Sequence, residues 1–484
     1  MRRVYKSSWR PHRYLYMTFV MLKKVWRARG HAAGGLLALA ICLNAAAKSS
    51  SQASLEVANS QFVRSSEPYF RDGASNSLTS WKLGWKGEAE SRGFFSKADI
   101  RNDYQAEEEH HYIKPFDLHV GWSNENTRLV LGRARQDWSK ADELWRIGMW
   151  QPRFTDDQIE RENAGFTGLF LKTGNERAHF LFFASPIWVP DQQASFAVKD
   201  QKFVSKNPWF KPPTTVVNLQ GVETDVRYKF HRPEELDVVQ HAMVATQFEY
   251  RPSQGSFARV SATYKPINQL LIGFPLELHE VVPEPRYATI EVETRVLYQQ
   301  MVTAEAGVQD MNRWTAWASL SSDRPVRDNP PSEWTTQEVS SAVIGSIYAG
   351  RDLRGSGSFA SHVFASYLRV DGGNAPDRGE ILGTKSFFEP RYIFQDAIQL
   401  GARHSLNLFT SKWLARLGGS VTYDFGQHGI LTSFSLAQPL SKYWSASASA
   451  DFIGLVDRSG RKQDGFTSTY RANDRVSIGV QYVY

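Results

Sequence analysis

The feature that most limits what this chain can fold into is strict alternation of apolar and polar residues over long segments. In the last ten residues Val476, Ile478, Val480, Tyr482 and Tyr484 share one face, and Arg475, Ser477, Gly479, Gln481 and Val483 share the other. Successive side chains of a strand point to opposite faces, so a period of two means β-structure. The pattern recurs in Val222, Thr224, Val226, Tyr228 and Phe230 against Glu223, Asp225, Arg227 and Lys229, and in Val292, Thr294, Val296 and Tyr298 against Glu291, Glu293 and Arg295. It returns in Trp413 to Phe425 and in Trp444 to Phe452, where Ser445, Ser447, Ser449 and Asp451 face away from Trp444, Ala446, Ala448, Ala450 and Phe452.

Two architectures produce such strands. A soluble sandwich hides the apolar face in a core, whereas a membrane barrel turns it to lipid and encloses the polar face. The polar rows here carry Ser, Thr, Gly, Gln and Arg rather than freely mixed Lys and Glu. Segments of about 9 to 13 residues match a tilted membrane crossing and exceed the ~5 to 6 of soluble strands. Aromatics gather near segment ends, as at Trp81, Tyr264, Tyr298, Tyr423, Tyr443, Trp444 and Tyr482, a placement suited to membrane interfaces and open to ordinary core packing as the alternative.

Charge excludes one class of partner. The formal balance is +7, but nine of the 57 Lys and Arg precede Lys48 with no acid among them, so beyond it 48 basic residues face 50 acidic ones. A nucleic-acid binder needs a cationic surface to displace counterions, and this body lacks one. The early basic stretch is followed by an apolar run, Ala32 to Leu43, and by Ala45-Ala46-Ala47. That is the layout of a secretory signal peptide over 1–47, with Met21 as the expected true start. The single cysteine, Cys42, lies in this run, and Ile41 before it is too bulky for a lipoprotein box. The expected mature chain therefore has no disulfide and no thiol chemistry.

Leader, cysteine-free body, alternating strands and a terminal strand "RVSIGVQYVY" ending in an aromatic together resemble the outer-membrane β-barrels of Gram-negative bacteria, with a weaker likeness to substrate-specific porins and alginate-export-type barrels around "RLVLGR" at Arg128 to Arg133. The resemblance implies a transmembrane, antiparallel, up-and-down all-β barrel of about 18 to 20 strands in the cell outer membrane. It implies lipid and lipopolysaccharide as surroundings and recognition of Val480, Tyr482 and Tyr484 by the barrel assembly machinery. A homo-oligomer stays open.

The expected organisation is a Ser-rich lead-in over 48–77, which either supplies another strand or stays in the periplasm, and a barrel over 78–484. Long connections are expected at Arg135 to Ala164, Pro186 to Pro213, Asp323 to Gln337 and Asp371 to Ser386. They fall on one side of the membrane only if one segment is wrongly split or merged. No HExxH, G-x-S-x-G or P-loop pattern occurs, and Glu107-Glu108-Glu109-His110-His111 cannot converge from one strand. No enzyme, cofactor or metal is expected.

A pore remains. The expected lumen-lining charges are Glu223, Asp225, Arg227, Lys229, Arg259, Glu291, Glu293, Arg295, Glu389, Arg391, Arg403 and Arg416, either setting a transverse field across a channel or pairing to stiffen the wall. The Arg135 to Ala164 loop is expected to open a short helix at Ser139 and to narrow the pore. Arg135, Trp138, Asp142, Trp145 and Trp150 are its candidate solute contacts, with self-packing of the aromatics as the alternative. The leading function is a porin-like channel for small polar or sugar-like solutes. The alternatives are an export barrel for a polysaccharide or other polymer, and a structural or adhesive barrel.

Overall fold

A computed structural model describes residues 48–484 apart from 67–69, 71–72, 92, 214, 220, 232, 274–275, 280–286, 312, 327–338, 355–359, 374–390, 407–412 and 457–464. The expected leader with Met21 and Cys42, and Glu389, lie outside the described residues.

Eighteen strands form one closed antiparallel sheet in which each pairs with its neighbours in sequence. They are β1 (Lys48–Phe62), β2 (Ser77–Ser91), β3 (Phe94–Gln105), β4 (His110–Ser123), β5 (Thr127–Ala134), β6 (Phe166–Gly174), β7 (Ala178–Ser185), β8 (Met243–Tyr250) and β9 (Ser256–Pro266). The round continues with β10 (Tyr298–Met311), β11 (Trp314–Pro325), β12 (Ala342–Arg354), β13 (Ala360–Gly372), β14 (Asp396–Leu406), β15 (Ala415–Asp424), β16 (Gly429–Pro439), β17 (Trp444–Leu455) and β18 (Arg475–Val483). The ring closes where β18 meets β1, with Val57 opposite Val480 and Ser60 opposite Ser477. Tyr484 and Ala53 exchange both backbone hydrogen bonds, at 2.8 and 2.9 Å.

Of the two roles open to the lead-in, its first part takes the strand, so the barrel begins before residue 78. Lys48 to Phe62, expected as part of a lead-in, is a 15-residue wall strand paired on both sides. Its Ser-rich alternation is weak because its inward row, Ser54, Glu56, Ala58 and Ser60, and its outward row, Ala53, Leu55, Val57 and Asn59, differ little in polarity.

A second correction concerns residues 214–295. Val222–Phe230 pairs in parallel with Tyr287–Arg295, Asp225 opposite Tyr287 and Phe230 opposite Val292, a direction that an up-and-down barrel cannot contain. With Val216–Leu219, Leu271–Gly273 and Leu276–His279 these segments build a five-stranded sheet separate from the barrel. Val226, Tyr228, Ile290 and Val292 form its own small core against Phe203 and Phe230. Glu223, Asp225, Arg227, Lys229, Glu291, Glu293 and Arg295 therefore lie off the barrel wall. Several satisfy one another: Lys229 pairs with Glu291 at 3.4 Å, Arg295 with Glu293 at 2.8 Å, and the Arg227 guanidinium lies 3.8 Å from the Tyr287 ring centroid.

With those segments removed from the count, the parity conflict disappears. Long connections, 63–76, 135–165, 186–242, 267–297, 326–341, 373–395 and 456–474, all leave one end of the barrel together with two short turns, 106–109 and 425–428, and the other short turns and both chain ends of the barrel share the opposite end. The short turns use their own side chains: Asn124 accepts from the amides of Asn126 and Thr127, and Asn175 from those of Arg177 and Ala178, the local hydrogen bonding that makes Asn a turn residue. Gly93, at φ +82, closes the turn between β2 and β3 where its Cβ position would press on the Ser123 carbonyl.

Every strand turns large apolar side chains outward into the open, among them Leu83, Ile113, Leu131, Phe248, Val302, Leu320, Ile347, Leu400, Phe434 and Ile478. Aromatics rim this belt at both ends: Trp81, Tyr264, Tyr298 and Phe425 at the long-loop end, and Phe94, Trp122, Trp314, Trp413 and Trp444 at the short-turn end.

Candidate functional site

The inward face is polar, with Lys82, Arg101, Lys114, Arg259, Glu305, Asp451 and Arg475 on wall strands. A bulge at Asp99 and Ile100 inserts an extra residue in β4, so that both Phe116 and Asp117 turn inward. The guanidinium groups of Arg101 and Arg135 then sit 5.2 and 4.9 Å from the Phe116 ring.

The 135–165 connection folds into the barrel. Its short helix α1 (Lys140–Trp145) is capped by Ser139, whose side chain accepts from the Asp142 amide, as the sequence suggested. What seats it is Glu305 on β10, which accepts from the Ser139 hydroxyl at 2.7 Å and from the Lys140 amide at 2.9 Å. Arg259 on β9 bridges Glu249 at 2.7 Å and the loop's Asp137 at 2.8 Å. Burial alone would raise the Asp137 carboxyl, but the hydrogen bond and charge of Arg259, helped by Lys140, hold it below the usual carboxylate range.

The tryptophans of this loop face the wall, not the water. Trp138 and Trp150 stack 5.3 Å apart at 5°, and the indoles of Trp150 and Trp145 donate to Thr303 on β10 and Ser346 on β12. All three are at most 4% exposed, which removes them as solute contacts and supports self-packing. Asp142 is buried as well, its carboxylate accepting from the amides of Met149 and Trp150 at 3.0 Å each. Trp188 and Trp209 in the next connection are equally buried. Arg135 remains partly open, but it is held by Asp99 at 2.9 Å and Asp117 at 2.8 Å.

What reaches the lumen is the acidic second half of the loop. Lys114 binds Asp156 at 2.8 Å and Asp103 at 3.0 Å, Arg101 reaches Glu162 and Asp103, and Arg475 reaches Asp157 and Asp451. These pairs tie residues 156–162 to β3, β4 and β18, while α1 rests against β9, β10 and β12. The loop thus crosses the barrel interior. Beside it lies a cavity of about 800 Å³, with Asp156, Asp157, Glu160 and Glu162 on one side and Arg403 and Arg416 on the wall strands β14 and β15.

Of the other expected lumen charges, Arg403 and Arg416 face this cavity, whereas Arg259 faces inward but is spent on holding the loop. Arg391 lies off the strands, buried against Asp323 at 2.7 Å. Sequence reasoning missed Lys82, Arg101, Lys114, Arg475 and the loop acids. The signal was present for the first, since Lys82 alternates with Trp81 and Leu83; the acids of an irregular loop have no period to read.

No family model matches the chain, and no curated protein matches it. Among solved structures, Acinetobacter baumannii OccAB4 is similar at 9% identity and TM-score 0.44, covering 90% of this chain and 97% of that one. Pseudomonas aeruginosa OpdQ is similar at 10% and 0.41, covering 90% and 96%. Salmonella typhi OmpF in complex with daunomycin is similar at 10% and 0.42, covering 91% and 99%. Likeness this distant carries none of the functional argument.

Proposed function

We propose that the chain is an outer-membrane channel that passes small polar solutes. The observation that carries this reading is a closed barrel that is apolar outside and charged inside. A water-soluble protein does not surround itself with an apolar belt, because exposing that surface to water is unfavourable by about 25 cal/mol per Å². The outward aromatics Trp413, two residues ahead of β15, and Tyr423, near its end, stand ten residues apart, which at ~3.3 Å per residue and ~40° tilt is about 25 Å, the height of an outer-membrane belt. Pairing around a closed ring leaves no strand edge unsatisfied in lipid.

Inside, the acid segment 156–162 and the opposed arginines would set a transverse field that orients a polar solute as it diffuses through. Confinement of the long loops to one end, with shorter turns alone at the other, matches an outward-facing and a periplasmic rim. On this reading the outward row ending in Val480, Tyr482 and Tyr484 is the segment read by the assembly machinery, and lipid with lipopolysaccharide surrounds the belt. Planar-bilayer recording of the purified protein tests the proposal: steady open steps are expected, and electrical silence would favour a structural or adhesive barrel.

A further inference from the structure

Six Lys and Arg residues line the main cavity, and four are paired: Lys82 with Glu56 at 3.0 Å, Arg101 with Asp103 at 2.7 Å, Lys114 with Asp103 at 3.0 Å and Arg475 with Asp451 at 2.8 Å. Arg403 and Arg416 are different. Neither has a carboxylate within ion-pair distance among the described residues, and both are exposed to the water of the lumen. The register sets Arg403 opposite Gly418 and Arg416 opposite Ser405, so the two are diagonal neighbours at the ~7–8 Å that long side chains span.

An aromatic track leads to this pair. Trp317 on β11, Tyr348 on β12 and Phe364 on β13 turn inward and stack in order, with centroids 5.3 Å apart at 7° and then 5.7 Å apart at 25°. Gly307 and Gly401 flank the track, and a side chain at either would collide with Trp317 or Phe364. Tyr348 is held in place by its hydroxyl against His362 Nε2 at 2.8 Å, and His362 Nδ1 by Asp352 at 2.7 Å. The three rings, His362 and Arg403 share a second cavity of about 400 Å³, and Arg403 and His362 also line the first.

We infer that this wall is a binding subsite for a solute that joins a ring to a doubly charged phosphoryl group. Tyr348 and Phe364, half-buried, line the 400 Å³ cavity and offer it an apolar surface against which a sugar's C–H surface or a base can pack. The two guanidinium forks match phosphoryl oxygens, and two uncompensated positive charges suit a dianion better than a monoanion. Sugar phosphates and nucleoside monophosphates share this chemistry. The inference rests on the channel reading, since the solute arrives through the lumen.

Equilibrium dialysis of the purified protein in detergent micelles tests it, with glucose 6-phosphate, adenosine monophosphate, glucose, inorganic phosphate and benzoate as probes. At least one ring phosphate is expected to bind about tenfold or more tightly than glucose, phosphate or benzoate. Arg403→Gln with Arg416→Gln should weaken that binding by about tenfold or more, the scale of lost charge-assisted hydrogen bonds. Tyr348→Ala should weaken the ring phosphates while leaving inorganic phosphate unchanged. Preference for glucose 6-phosphate assigns the rings to sugar stacking, and preference for adenosine monophosphate assigns them to base stacking. Equal binding of benzoate, or unchanged binding in the double arginine variant, overturns the subsite. Bilayer recording on the same preparations separates the two readings: open steps without ring-phosphate binding overturn the subsite alone, and binding without open steps overturns the channel and leaves the subsite standing.

Discussion

Glu143 shows how much a single side chain's setting matters in this lumen. It lies on α1 and opens onto the smaller cavity beside Lys140. The surrounding protein, and then the charges of Asp137 and Asp142, push its carboxyl up to about 7 against the pull of Lys140 and Arg259. It is therefore neutral at pH 6 and ionised at pH 8, so raising the pH adds a negative charge to the wall. In a KCl gradient the reversal potential is expected to move toward cation preference between pH 6 and 8, and Glu143→Gln should shrink that movement. A shift of undiminished size in the variant would mean that Glu143 is not the group that titrates. Asp137, just ahead of the helix, makes the contrast: Arg259 holds it ionised throughout this range.

At the scale of elements, the loop inside the barrel is a short helix that could not stand alone. Six residues of α1 are far below the ~12 to 15 that an isolated helix needs, so its shape depends on the wall beneath it. Glu305→Ala would leave the Ser139 hydroxyl and the Lys140 amide without their acceptor, at a cost of about 1–3 kcal/mol for buried groups left unpaired. The ladder hydrogen bonds of β10 are untouched by that change. Higher single-channel conductance and faster proteolysis within 135–165 are therefore expected, with the barrel's heat-modifiable gel mobility retained. Unchanged conductance would mean that the loop keeps its place without this anchor. Trp145 and Trp150 belong to the same seat. Their dense spacing was legible in the sequence, but spacing alone does not say whether indoles face water or a wall. That answer came from partners on β10 and β12, more than 150 residues away.

The whole molecule is governed by which face of each strand meets which medium, and this was the most legible property of the chain. Alternation in Arg475 to Tyr484 and in Trp444 to Phe452 predicts the observed outward and inward rows because period two is a local rule. Which strands share a sheet is not local. Val222–Phe230 has as clean an alternation as any wall strand, yet its partner runs parallel, and its apolar row covers a small core instead of facing lipid. Arg403 and Arg416 line the cavity because β14 and β15 are ordinary wall strands, whereas Arg227 and Arg295, read by the same alternation, lie off the wall. The membrane reading makes a matching demand on the closing strand. Ile478 faces outward, 63% exposed, between Asn59 and Ala448, near the middle of β18. Ile478→Arg should cost about 2–4 kcal/mol of folding stability in lipid if it lies at the bilayer midplane. Ser449→Gln, on the neighbouring strand but turned into the 800 Å³ cavity, should cost less than about 1 kcal/mol because it meets water. Reversible denaturant unfolding in phospholipid vesicles measures both. Equal stability of the two variants would mean that the apolar belt is not in contact with lipid, and the channel would then have to be sought in a different setting.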